Sequence, residues 1–359
     1  MLKIRKIAVD AVPVFDITVP QTECFFANDV LVHNCSEISL ATGKDRTAVC
    51  CLSSVNLEYY DDWKDDKLFL RDVLEMLDNV LTYFIDNAPD SIHRARFSAW
   101  RERSVGVGAL GFHALLQKKG IAFEGVLAKS LNNRIFKHIR AELDKANVAL
   151  AEERGPCPDA EEAGVMQRLT HVMAVAPNAS SSIIMGNTSP SIEPYAANAY
   201  RQDTTSGAFL TKNRFLDAII KKAAESQQES WYDDTWGSIT ANDGSVQHLD
   251  WMDENTKFVF KTAAEIDQRW VVEHASDRQQ YIDQAQSLNL FFRPDTNVKY
   301  LHAVHFMAWK GGLKSLYYCR SAKLRKADKV GQRIERKRIE EEIDLEALAQ
   351  GTSCIACEG

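Results

Sequence analysis

The chain has no apolar run approaching the ~20 residues that a membrane-spanning helix needs, so no membrane partner is expected. It also lacks a surplus of positive charge: 43 Lys and Arg stand against 50 Asp and Glu, for a formal net charge of −7. Such a balance offers no basic surface for nucleic acid or an anionic membrane. Met1-Leu2-Lys3-Ile4-Arg5-Lys6 carries charge but no apolar stretch long enough for a secretory signal, so a cytoplasmic location is expected. Cysteine is sparse. Eight in 359 residues, at 24, 35, 50, 51, 157, 319, 354 and 357, are too dilute for a disulfide scaffold. In a reducing compartment they read as thiols open to catalytic or redox use. Internal repeats are absent. What is present is ordinary globular composition, 45% hydrophobic and 26% charged, sufficient for a large core or two domains.

Residues 1–34 differ in pattern from the rest. Val14-Phe15-Asp16-Ile17-Thr18-Val19, Cys24-Phe25-Phe26-Ala27 and Val30-Leu31-Val32 read as short strands, with turns at Pro20-Gln21-Thr22 and Asn28-Asp29. A piece this short buries no core alone and needs a partner. After Cys35 the periodicity becomes helical. Asp65 or Asp66 can cap a helix that puts Leu70, Val73, Leu74, Leu77, Val80, Leu81 and Phe84 on one face and ends before Pro89. A second helix is predicted over about 127–154, stopped by Gly155-Pro156, with others near 212–226, 260–284 and 297–310. Strand-like runs lie between them at 171–176, 288–292 and 314–318. This alternation predicts an α/β fold. Residues 320–348 are dense in both charge signs and poor in aromatics, which reads as an exposed helix or flexible tail.

Two groups of motifs carry chemistry. The first ends in Val30-Leu31-Val32-His33-Asn34-Cys35. An Asn side chain can attack its own backbone carbonyl and cut the bond after it. A preceding His can protonate that bond, and a following Cys can receive an upstream segment as a thioester. With the strands before it, this run resembles the C-terminal motifs of inteins. The resemblance implies that Asn34 cyclises, His33 assists, and Cys35 begins the spliced product. Where inteins often carry a His, this sequence has Glu23. The first intein half is missing and the chain opens at Met1, so a split intein is expected. A chance His-Asn-Cys after a β-hairpin is the plainer alternative.

The second group is spread over residues 35–359. Cys35 and Glu37 stand at i and i+2, on one side of an extended segment; a buried Cys and a surface Glu is the bland reading. Ala48-Val49-Cys50-Cys51-Leu52-Ser53-Ser54-Val55-Asn56-Leu57 holds two adjacent thiols, either of which could be redox-active or simply core. Pro177-Asn178-Ala179-Ser180-Ser181-Ser182, after a strand-like run, offers hydroxyls and backbone N–H groups to an anion. Gly186-Asn187-Thr188-Ser189-Pro190-Ser191-Ile192-Glu193-Pro194 follows. Tyr317-Tyr318 ends the last strand-like run, where regular strand neighbours would face opposite sides and stacking would need an irregularity. Cys354-Ile355-Ala356-Cys357 is a redox pair or half a zinc site. No second CxxC exists, so no metal is expected in this chain.

Together these features resemble the large, catalytic subunit of class I ribonucleotide reductases. The resemblance implies residues 35–319 as the C-terminal half of a ten-stranded α/β barrel, an all-β intein fragment at 1–34, and a flexible tail with its CxxC at 320–359. It implies reduction of ribonucleotides, expected to be diphosphates. Cys35 would become the thiyl radical that removes the ribose 3′ hydrogen, with Glu37 taking the 3′ hydroxyl proton. Cys50 would form a disulfide with an upstream Cys, Cys51 being the alternative in register. The 177–182 loop would bind the diphosphate. Tyr317 and Tyr318 would relay a radical from a metal-bearing small subunit. Cys354 and Cys357 would re-reduce the active site, drawing on a thioredoxin- or glutaredoxin-type reductant. An N-terminal reductase fragment carrying the other intein half is the remaining partner. A cobalamin-dependent class II reductase would share Cys35, Glu37 and the phosphate loop but not the tyrosine pair; a splicing module with a non-catalytic passenger is the non-enzyme alternative. Gly106-Val107-Gly108-Ala109-Leu110-Gly111 satisfies GxGxxG, but no hydrophobic strand precedes it, so close backbone packing explains it better than a dinucleotide.

Overall fold

The computed structural model describes residues 24–27, 30–33, 36–204 and 207–321. The chain divides into two compact units, Met1–Cys35 and Ser36–Gly359. In the first, β1 (Cys24–Ala27) and β2 (Val30–His33) form an antiparallel hairpin that pairs Cys24 with His33 and Ala27 with Val30. The predicted strand at 14–19, Asn34 and Cys35 lie outside the described residues, as does the tail with Cys354 and Cys357.

The second unit alternates extended segments with helices. β3 (Leu52–Asn56) is followed by the short α1 (Tyr60–Trp63), by α2 (Phe69–Asn87) and by α3 (His93–Glu102). The chain then returns to β4 (Gly106–Leu110), parallel to β3. α4 (Phe112–Lys118), the 29-residue α5 (Val126–Arg154) and α6 (Pro158–Glu162) lead to an extended stretch at 171–176 beside β4. There Val105 and Val107 N–H groups donate to the His171 and Val172 carbonyls. A longer excursion holds α7 (Ala179–Ile184), the hairpin β5 (Ala199–Thr204) and β6 (Gly207–Lys212), α8 (Arg214–Ala224), α9 (Trp231–Ala241), α10 (Glu254–Val259) and α11 (Gln268–Gln279). Next comes the stretch 284–292, which includes β7 (Leu290–Phe292) and bridges 171–176 in parallel at Val175 and Gln286. α12 (Val298–Lys310) then returns the chain to β8 (Cys319–Ser321), parallel to β7. Neighbouring segments in the series β3, β4, 171–176, 284–292 and β8 therefore run in parallel, with helices between successive members.

The helices form where apolar spacing dictates. α2 buries Leu70, Leu74, Leu77 and Leu81 against α5, which presents Leu131, Ile135, Ile139, Leu143 and Leu150 at helical period. Each such leucine contributes roughly 1.5–3 kcal/mol when fully buried. Val80, expected on this face, is exposed, because the inward position one turn on is Leu81. The cap is also displaced: α2 starts after Leu68, whose N–H is held by Asp66 Oδ1 at 2.9 Å. The expected helix over 260–284 is shorter, since Asp267 accepts from Arg269 N–H and starts α11 there. The 171–176 and 314–318 runs are extended but are not regular strands.

A buried carboxylate locks this layer. Asp78 on α2 is fully buried and receives Arg103 Nε at 2.7 Å, Arg154 at 2.9 Å and Arg168 at 3.1 Å. Arg168 also donates to the Arg154 and Gly155 carbonyls at the end of α5, satisfying groups the helix leaves open. The glycine segment is packing, as expected. A Cβ on Gly106 would lie 2.6 Å from the Ala174 Cβ, and one on Gly108 would lie 2.6 Å from the Ala174 carbonyl oxygen.

Candidate active site

The 284–289 stretch buries Gln284, Gln286, Ser287 and Asn289 among apolar neighbours. Buried amides cost stability unless bonded, and here each has partners. Gln284 Nε2 donates to Val105 O at 3.0 Å, and its Oε1 accepts from Ser39 N–H at 3.2 Å. Gln286 donates to Ala275 O and accepts from Arg278 Nε at 2.7 Å. Arg278 is itself buried, donates to Asn132 Oδ1, and stands 5.8 and 5.4 Å from the Phe112 and Phe136 ring centres.

This rigid stretch holds Glu37. The Glu37 carbonyl accepts from Ala285 N–H at 2.9 Å, and Ser287 Oγ donates to its carboxylate. Ser36 N–H in turn donates to Ser287 Oγ at 3.1 Å. Glu37 is buried, so an orienting hydroxyl and an adjacent backbone loop define where its carboxylate points.

Cys50 and Cys51 face opposite ways. Cys51 is buried in the core, its Sγ 3.8 Å from the Leu77 carbonyl on α2. Burial pushes its thiol up to about 11. Solvent reaches Cys50, yet protein crowds its sulfur on the remaining sides. That desolvation, then the charge of Glu37 and the neighbouring Cys51, push its thiol up to about 11. Cys50 is thus the member of the pair that senses Glu37.

At the end of 171–176, Asn178 takes a left-handed conformation (φ 56°, ψ 27°) and its Nδ2 donates to Ala176 O at 2.9 Å and Ala109 O at 3.3 Å. Ser191 Oγ donates to the same Ala176 carbonyl at 2.8 Å. Pro177 and Ala179 flank this turn. Ser182 is buried with its hydroxyl on Ala179 O at 2.7 Å, whereas Ser181 is exposed and Ser180 is half-buried.

Tyr317 and Tyr318 stack, with ring centres 3.8 Å apart and planes 29° from parallel; Tyr317 Oη donates to Tyr318 Oη at 2.8 Å. The irregularity that permits this is visible. Tyr317 N–H donates to Leu288 O and Leu290 N–H to Tyr318 O, both at 2.9 Å, but Tyr318 N–H turns to the Asn289 side chain at 3.1 Å. Regular strand begins only at Cys319.

Sequence reasoning missed Ser287 and Glu193 as site residues. Alternate polar residues in an apolar strand were the available signal for Ser287. Glu193 is buried, 3.4 Å from Asn289 N–H through Oε1, and burial pushes its carboxyl up to about 7 against the pull of Asn289 and Arg320. Of the expected splice residues, His33 ends β2. Among the described residues no three His, Cys, Asp or Glu side chains form a metal-binding group, and no helix is long and apolar enough to cross a membrane.

Parallel segments with intervening helices thus carry a serine-held carboxylate, a thiol that feels its charge, and a stacked tyrosine pair. The family model for "Ribonucleotide reductase, barrel domain" matches residues 31–170 and 159–319, and the chain belongs to that family. It is 55% identical over 305 residues to the ribonucleoside-diphosphate reductase large subunit of Invertebrate iridescent virus 6, covering 84% of this chain and 31% of the relative. Against the Invertebrate iridescent virus 3 large subunit it is 50% identical, covering 82% of this chain and 46% of the relative. The solved Actinobacillus ureae class Id ribonucleotide reductase alpha subunit superposes with a TM-score of 0.74 at 38% identity, covering 82% of this chain and 53% of that one. The chain thus spans about half or less of the length of these relatives.

Proposed function

We propose that this chain is the C-terminal part of a class I ribonucleoside-diphosphate reductase catalytic subunit, joined to its N-terminal part by trans-splicing. The observation that carries the reading is one extended stretch serving two groups. Ser287 holds Glu37, while Leu288 and Asn289 hold the tyrosine pair. Base and relay are therefore anchored within two residues, about 7 Å of extended chain.

In this reading Cys35 carries the thiyl radical to the ribose 3′ hydrogen and Glu37 takes the 3′ hydroxyl proton. Loss of the 2′ hydroxyl as water requires two thiol hydrogens: two S–H groups become one S–S bond, and the ribose gains C–H where it had C–OH. Cys50 supplies one thiol, and an upstream cysteine of the N-terminal part supplies the other. The raised Cys50 thiol keeps its hydrogen at neutral pH, as this step needs. The 177–182 loop binds the diphosphate, with Ser181 an exposed hydroxyl of that loop. Cys354 and Cys357 reset the Cys50 disulfide by exchange and pass the electrons from a thioredoxin- or glutaredoxin-type reductant. The radical originates on a metal-bearing small subunit. A reducing cytoplasm keeps these thiols available. The parallel segments make one half of a ten-stranded barrel, completed by the upstream part.

Splicing joins the halves. Asn34 cyclises with help from His33, and Cys35 accepts the upstream segment before serving as the radical carrier. Co-expression with the upstream part bearing the first intein half should give a ligated product by intact mass. Asn34→Ala should leave the intein piece attached. Ligated enzyme with small subunit and reductant should form deoxynucleotide, and the chain alone should not. Turnover by the chain alone would overturn the reading, as would normal ligation of the Asn34→Ala variant.

Ser287→Ala tests the base. Without its hydroxyl donor the Glu37 carboxylate is less well aimed. kcat should fall by about 10^2-fold, the lower range for a general base. Nucleotide KM should be unchanged. A wild-type kcat would separate Ser287 from Glu37 function.

A further inference from the structure

Glu193 is a buried carboxyl for which the reaction described above has no use. It sits in the Ser191-Ile192-Glu193-Pro194 turn and is 2% exposed. Burying a carboxyl is costly unless its partners need it. Those partners are Asn289 and Arg320. The Asn289 backbone N–H donates to Glu193 Oε1 at 3.4 Å, and the Asn289 side chain adds to the pull that favours the charged carboxylate. The Arg320 charge acts on it from β8, and the same guanidinium lies 5.4 Å from the Tyr318 ring centre.

We propose that Glu193 is a positioning residue for the tyrosine pair, its carboxylate setting the orientation of the Asn289 amide that holds Tyr318. This inference rests on the relay reading of Tyr317 and Tyr318. An amide presents one acceptor and one donor edge in a fixed plane. A carboxylate only accepts, so it draws the Asn289 NH2 toward itself. Oδ1 is then turned to the Tyr318 N–H, where it is found at 3.1 Å. A neutral group at 193 can donate as well as accept and holds the NH2 edge less firmly, so the amide that accepts from the Tyr318 N–H is less well fixed. The bond that makes Tyr318 depart from regular strand geometry is then weaker, and the stack less well placed. The Arg320 guanidinium over the ring also loses one neighbouring negative charge.

Ionisation of this carboxyl falls near neutrality, at about 7. Its charged neighbour is Arg320 on β8; the 284–292 stretch presents the uncharged Asn289, and beyond it stand the two phenols. The carboxylate form acts, so the effect is present above that pH and fades as pH falls through it.

The test uses the ligated enzyme with its small subunit. Wild type, Glu193→Gln, Glu193→Asp, Asn289→Ala and Tyr318→Phe are compared for kcat and KM from pH 6 to 8.5, with thermal melts. In wild type, kcat should lose activity toward acid with a limb near 7. Glu193→Gln should lack that limb and run about 10- to 100-fold slower at the upper end, the cost of a misplaced reacting group. Its KM should match wild type, Glu193→Asp should recover part of kcat, and Asn289→Ala should resemble Glu193→Gln. Wild-type kcat and limb in Glu193→Gln, with Tyr318→Phe inactive, would overturn the inference and leave the relay standing. A lowered melting temperature with unchanged kcat would also overturn it, as a purely structural role. If Glu193→Gln does not fold, a wild-type profile without the limb, or an Asn289→Ala enzyme at full rate, would do the same. Turnover by Tyr318→Phe would instead remove the relay reading.

Discussion

On the proposed relay reading, Tyr318→Phe in ligated enzyme should reduce deoxynucleotide formation to assay background while leaving the fold intact. The ring contributes a stack 3.8 Å from Tyr317, which phenylalanine keeps. The hydroxyl accepts a hydrogen bond from Tyr317 Oη at 2.8 Å. Both residues are half-buried, so water can replace that partner, and the stability cost should be about 0.5–1.5 kcal/mol. The radical step has no such substitute. A phenol can lose an electron and a proton together to its stacked neighbour, whereas a benzene ring has no O–H to give. Tyr317→Phe should behave alike, since the two phenols are hydrogen-bonded to each other. The checks are a steady-state product assay, a nucleotide-binding titration and a thermal melt. A variant that retained substantial turnover, or that lost stability and kept activity, would show the tyrosines to be structural.

Cys50→Ser should abolish turnover and Cys51→Ser should preserve it, though the residues are adjacent and both carry thiols raised to about 11. Cys50 opens to solvent and feels Glu37; a serine there keeps the size but cannot form the disulfide that the proposed reaction needs. Cys51 lies in the core against the Leu77 carbonyl, where a more polar hydroxyl costs about 1–3 kcal/mol and no chemistry. Alkylation of the chain alone adds a second readout. The thiolate is the reacting form, so labelling of Cys50 should accelerate as pH rises toward 11, ahead of buried Cys51. Turnover lost in Cys51→Ser and kept in Cys50→Ser would reverse the assignment.

Periodicity and turn chemistry made the helices legible. The leucine spacing of α2 and the Gly155-Pro156 stop of α5 are local; the structure places α5 within a residue of expectation and ends α2 before Pro89, while its cap falls at Leu68, two or three residues past the expected aspartates. The β1–β2 hairpin and the packing role of Gly106 and Gly108 follow from similarly short-range rules. The choice between Cys50 and Cys51 did not, because alternation says that neighbours face apart but not which face is the site. The tyrosine pair shows the same limit. Its stacking depends on Asn289, 29 residues earlier in the chain, replacing a backbone acceptor.

The sequence alone determined the α/β alternation, the spans of α5 and α12 and the spacing of the motifs that resemble a ribonucleotide reductase, because each arises from propensity, burial period or chemistry within a few residues. Tertiary structure alone decided that Ser287 grips Glu37 across 250 positions and that Glu193 meets Asn289 across 96. A polar residue inside a strand has no local reason to be there. Its stability and its meaning come from the partner that the fold brings to it, since an unpaired polar group could not stay buried.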